Sequence, residues 1–289
     1  WSNFERMEGW ITIVHLWAFF MTATGIFGSG EEGKKLWHRW INAQLIIAFI
    51  VGLYGIWQLL GKTEIHQGST RIDASLGNAA YMAVYMLWNT GLAAYMFCVA
   101  RAKKISNFGF LQWAYPVLAV LFGYEVFETA TRGTILGLLG GILLALFLYA
   151  VIGKNETKEN RWIATGVIVF IVLVGVVFWT QRNSSFVQNH EVLARMASIS
   201  WSEAQGQARN YIWPMALKGA TERPILGWGQ ENFNYIFNAN YNPKMWGQEQ
   251  WFDRAHSVFL DWLTSSGFLG LISYLALYVL FLMEVWRAA

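Results

Sequence analysis

The chain has 289 residues, of which 55% are hydrophobic, 17% aromatic and only 13% charged. Soluble domains carry about 25% charged residues, so this composition excludes an ordinary soluble domain and points to a membrane protein. The net charge of +3 is too small to argue for nucleic acid as a partner. The single cysteine, Cys98, lies in an apolar run, which excludes disulfides and cysteine–metal clusters.

In chain order, apolar runs of membrane-crossing length, roughly 17–25 residues, occupy 10–27, 41–60, 77–100, 107–128, 133–152, 162–180 and 257–283. Backbone amides in lipid need partners within their own segment, so each run is expected to be a helix. The predicted fold class is an all-α polytopic membrane protein with about seven transmembrane helices and a long, partly helical extracytoplasmic loop. Spans 107–128 and 133–152 flank Glu125, Glu128 and Arg132 and are placed to form one hairpin. The expected division is an N-terminal bundle at 1–180, a loop at 181–256 and a C-terminal helix at 257–289. Trp1 stands where a start methionine would, and no charged stretch precedes the first run as in a signal peptide. The chain is therefore expected to be an excerpt of a longer protein.

Orientation follows from lysine and arginine in the short loops. With 28–40, 101–106, 153–161 and the C-terminal tail inside, ten basic residues face the cytoplasm, against four outside: Arg6, Lys62, Arg71 and Arg132. Residues 181–256 then lie on the periplasmic side. A structureless loop of that length is unusual, so a small fold is expected within it. Over 193–219 an apolar stripe of helical spacing includes Leu193, Met196, Trp201, Ala204, Tyr211 and Met215. Pro214 is expected to kink or restart that helix. ERPILGWGQENF follows as turn sequence, and its GWGQEN lacks the spacing and lysine of a phosphate loop. Five tryptophans in the loop (Trp201, Trp213, Trp228, Trp246 and Trp251) suit the headgroup level of a bilayer.

No Asp, Glu, Lys or Arg falls near the middle of any predicted span. The charges gather at the outer ends: Glu125, Glu128 and Arg132 after the fourth span, and Asp253, Arg254, His256 and Asp261 around the start of the seventh. A transporter or flippase would more often place carboxylates near the midplane, so the pattern favours an outward-facing interfacial site. Each residue also has a plainer reading. His256 can cap a helix, Arg132 can pair with Glu128 four residues earlier, and Arg209 can be solvated. Asp261, about a turn beyond His256, can orient it or bond to a neighbouring helix. His15, His38, His66 and His190 show no metal-ligand spacing.

Three runs, TRGTILGLLGG (131–141), ARNYIWPMALKGATERPILGWGQENF (208–233) and FDRAHSVFLDWLTSSGFLGLISY (252–274), stand in the order found in the O-antigen ligase and polymerase superfamily, which the chain resembles. That pattern has Ser/Thr-Arg-Gly opening a span, an Arg-x3-Trp helix leading to Pro-x-x-Gly-x-Gly, and a His before an apolar helix with Gly-x-x-Gly. RIDASLGNAAYMAVYML (71–87) resembles an earlier Gly-Asn segment, with Ala79 where proline is common. Members usually have more spans, which implies that upstream ones are missing here and the last helix is truncated.

The resemblance implies a GT-C-type architecture in the bacterial inner membrane and a glycosyltransferase reaction. The donor would be a glycan on undecaprenyl diphosphate. The acceptor would be a hydroxyl of a lipid A core sugar, of another lipid-linked glycan or of a protein, with the core sugar favoured. It makes His256 the general base, and Arg209 and Arg132 the diphosphate-binding residues. Arg254 and Asp261 are secondary candidates, and Trp213 and Trp251 weaker ones for stacking on sugars. The transfer would invert the anomeric carbon, with no cofactor and no metal.

Overall fold

A computed structural model describes residues 9–28, 30–66, 70–102, 111–152, 157–199, 208–247 and 251–288. The longer helices are α1 (Trp10–Phe27), α2 (Glu31–Leu59), α3 (Ala79–Ala102), α4 (Ala114–Glu128), α5 (Arg132–Ile152) and α6 (Lys158–Thr180). Shorter ones follow: α7 (Ser185–Asn189), α8 (Glu191–Ala197), α9 (Arg209–Glu222) and α10 (Phe233–Ala239), before the terminal α11 (Val258–Ala288). The described residues contain no strand, so the fold is all-α.

Six helices among the described residues are long and apolar enough to cross a membrane: α1, α2, α3, α5, α6 and α11. The fourth predicted span, 107–128, is the exception. α4 has 15 residues, about 22 Å at the α-helical rise, against a hydrocarbon core of about 30 Å. Residues 107–110 of that predicted span lie outside the described residues, as do Arg6, Lys103, Lys104, Lys154 and Trp201.

The chain forms two compact units, residues 29–199 and residues 1–28 with 200–289. In the first, α2, α3 and α4 pack around Leu45, Ala48, Met82, Met86, Phe122 and Val126, all buried. Small residues allow close approach, as is general between membrane helices. At Gly52 a Cβ would stand 2.5 Å from Glu125 Oε1. Glu125, near the end of α4, is thus fully buried in this core, and among the described residues neither carboxyl oxygen has a hydrogen-bond partner. The α4–α5 junction is a corner of three residues, and α5 packs more extensively on α6. Arg161 ties that pair by donating to the carbonyls of Ala150 (2.6 Å) and Val151 (2.8 Å) at the end of α5. Thr157 caps α6, its hydroxyl accepting from the Asn160 amide.

The RIDASLGN segment is held from within. Gln58 Oε1 accepts from the amides of Asp73 (3.1 Å) and Ala74 (2.8 Å), while its Nε2 donates to Asp73 Oδ1 at 2.7 Å. Asn78 Oδ1 then accepts from Ala80 N at 2.8 Å, capping α3.

In the second unit α1 buries none of its side chains. A separate small core joins α9, α10 and the approach to α11 through Ile212, Met215, Phe233, Ile236, Phe237 and Phe252. The helix expected over 193–219 is not continuous, because α8 ends at Ala197 with Ser198 as its C-cap. Pro214 lies inside α9, which runs through it to Glu222.

α11 is broken at Gly267, where φ is 64° and ψ −165°. The break frees carbonyls that a continuous helix would use. The loop after α9 takes them up: Trp228 N donates to Thr264 O and Gly229 N to Ser265 O, both at 2.8 Å. In return Phe268 N donates to Pro224 O, also at 2.8 Å. Irregular backbone within a membrane helix is tolerated only where protein satisfies its polar groups. The Pro-x-x-Gly-x-Gly loop does that here.

Candidate functional site

His256 is set by what precedes and follows it. Phe252 and Ala255 are buried in the small core, which leaves His256 exposed at the surface just before α11. Its backbone is left-handed, with φ at 53°, a conformation that costs a non-glycine residue of the order of 1–3 kcal/mol and clusters at functional sites. Its ring meets Phe252 edge-on at 5.6 Å.

Both polar groups of the neighbouring Ala255 are held. Asp261 Oδ1 accepts from Ala255 N at 2.7 Å, and Trp213 Nε1 donates to Ala255 O at 3.2 Å. Asp261 therefore holds the backbone of the histidine loop, and its carboxylate also interacts electrostatically with Arg254 and His256. Trp213, weighed earlier for sugar stacking, is a hydrogen-bond donor to that loop. Arg209 and Trp213 are four residues apart and share one face of α9, so the face carrying Arg209 is the one that meets the histidine loop. Arg254 and Asp253 are half-buried in the same loop, and Trp251 at its start is exposed.

Arg132 belongs to the other compact unit and opens α5 after the Thr129–Thr131 corner. Its Nη2 donates to Ser198 Oγ at 2.8 Å. The corner is strained, with Ala130 at φ 49°, and Arg71 holds it by donating from Nε to Thr129 O (2.9 Å) and from Nη2 to Thr131 Oγ1 (3.0 Å). Burial, and then the charge of Arg195, lower the pKa of Arg71, partly offset by Glu191. In the sequence Arg71 is only an outer positive charge, and the one signal for more is its place at the head of the RIDASLGN segment.

Arg132 and Arg209 are each the first residue of a helix, of 21 and 14 residues. The helix dipole disfavours a cation at that end by a few tenths to about 1 kcal/mol, so helix stability does not explain either arginine. An anion placed there would gain from both the guanidinium and the exposed amides. Among the described residues no group of three or more His, Cys, Asp or Glu side chains is placed to hold a metal ion.

The sequence profile of O-antigen ligases matches residues 117–275, more than half of the chain and all three of the runs described above. The ComP-specific O-oligosaccharyltransferase of Acinetobacter baylyi is 29% identical over 223 residues, which cover 75% of this chain and 36% of that relative. The chain thus spans about a third of the length of the curated relative it matches. With the helices, the three runs and the profile in agreement, the chain belongs to the O-antigen ligase family.

Proposed function

We propose that this polytopic membrane protein is a ligase-type glycosyltransferase that moves a glycan from undecaprenyl diphosphate to an acceptor hydroxyl on the periplasmic side of the inner membrane. The observation that carries the reading is the placement of Arg132 and Arg209 at helix starts, together with an exposed histidine fixed by its backbone. The acceptor oxygen attacks the anomeric carbon as the bond from that carbon to the diphosphate oxygen breaks. The electron pair leaves with the diphosphate, and the acceptor proton passes to His256. An imidazole suits proton transfer near neutral pH. Negative charge grows on the leaving diphosphate, so guanidinium groups stabilise the transition state more than the ground state. Arg209 and Arg132 fill that role. Attack opposite the leaving group inverts the anomeric carbon, and two arginines make a divalent metal unnecessary for charge.

The acceptor is a hydroxyl of a lipid A core sugar, in keeping with the family's description as O-antigen ligase. A second reading, a protein hydroxyl, is favoured by the relative named as a ComP-specific O-oligosaccharyltransferase. Mass spectrometry of the product made from a lipid-diphosphate glycan donor separates the two. In the same assay His256→Ala and Arg209→Ala abolish transfer while the protein stays folded. Full activity in both variants would sink the mechanism.

A further inference from the structure

Beside the Thr129–Thr131 corner, within the unit of residues 29–199, lies a pocket of about 240 Å³. Arg71 and Glu128 form one side, and Asn189, His190 and Glu191, at the α7–α8 junction, form the other. Val192, buried in the core of that unit, anchors α8, and the His190 ring contacts Phe127 at 5.8 Å. The two walls are therefore fixed to the same core. At about 30 Å³ per water molecule, the space equals roughly eight waters, enough for one sugar ring and too little for a longer glycan.

The lining decides the class of ligand. Glu128 and Glu191 are acceptors, Arg71 is a donor, and Asn189 and His190 supply both kinds of group. A diphosphate would meet two carboxylates, and an acyl chain would strip water from charged groups without replacing their hydrogen bonds. Sugar hydroxyls donate and accept at once, and so suit such a mixed wall. Helix stability does not account for Glu128 either, because it is the last residue of α4, where the dipole disfavours a carboxylate.

We propose that this pocket binds one uncharged sugar residue of a glycan substrate. The inference rests on the glycosyltransferase reading, which supplies the glycan. Arg71 links the pocket to Arg132, since the guanidinium that lines it also holds the corner from which Arg132 projects.

The test is saturation-transfer NMR on the purified membrane protein in nanodiscs. The probes are the methyl glycosides of glucose, galactose and N-acetylglucosamine, with inorganic pyrophosphate as a competitor. At least one glycoside should bind saturably, with Kd raised tenfold or more in Glu128→Ala and Asn189→Ala, unchanged thermal unfolding and no displacement by pyrophosphate. Absence of glycoside binding overturns the proposal. So does binding that both variants retain, or binding that pyrophosphate displaces, which would make the pocket an anion site. His256→Ala separates this from the catalytic reading: it should keep glycoside affinity, so active His256→Ala protein would defeat the mechanism and leave the pocket's binding result standing.

Discussion

The carboxylate of Asp261 accepts a 2.7 Å hydrogen bond from the amide of Ala255, the residue immediately before His256. The first turn of α11 thereby holds the backbone that presents the imidazole. Losing a half-buried bond of this kind costs about 1–3 kcal/mol, and each 1.4 kcal/mol in a barrier is a factor of ten. Asp261→Ala is expected to lower kcat about ten- to a hundredfold with little change in KM for the donor. Asp261→Asn keeps an accepting oxygen and should restore most of the rate. Equal loss in both variants would show that the charge, not the backbone bond, matters.

The break in α11 makes a sharper demand on stability. A Cβ at Gly227 would lie 2.5 Å from the Ser265 carbonyl carbon, and one at Gly267 would run into the Ile225 carbonyl. Both residues also have positive φ, 68° and 64°. Gly227→Ala and Gly267→Ala should each lower the thermal midpoint in detergent, by several kcal/mol of stability once strain of about 1–3 kcal/mol is added to the clash. Gly137 and Gly140 in α5 have nothing within 4 Å of a built Cβ, so alanine there should be neutral or slightly stabilising.

Glu125 offers a test in the opposite direction. A carboxyl without hydrogen-bond partners in an apolar core is costly in either protonation state, and exchanging such a group for an apolar one of similar size is often stabilising. Glu125→Met should raise the thermal midpoint, an effect of about 1–3 kcal/mol, with transfer retained. A clear fall in stability would mean that the carboxyl has a partner of its own in the membrane.

Arg71 positions the start of α5. Arg71→Ala removes two donors from the Thr129–Thr131 corner and should reduce transfer about tenfold, one hydrogen bond's worth of positioning. Arg71→Lys offers a point charge in place of a planar fork and should recover only part of the loss. Retention of full activity by Arg71→Ala would remove it from the machinery.

Transfer should continue in EDTA, because the charge on the leaving diphosphate is assigned to arginine. Activity lost to EDTA and restored by a divalent ion would overturn that assignment.

The sequence by itself determined the class of this protein. Apolar runs of bilayer length and the scarcity of charge dictate membrane helices, since lipid leaves the backbone no other partner. The order of Thr-Arg-Gly, Arg-x3-Trp with its glycine loop, and the histidine run marked the family, because motif order survives where contacts are invisible. The fourth span was less legible: hydropathy registers apolar length whether a helix faces lipid or a protein core, and α4 is a 15-residue helix carrying a buried Glu125. Only the tertiary structure decided what the glycines at 227 and 267 are for, as their reason is a backbone-to-backbone approach between segments 40 residues apart. The parts played by Trp213 and Arg71 belong there too. Each acts through a carbonyl or a side-chain hydroxyl of another segment, and no spacing along the chain records which segment that will be.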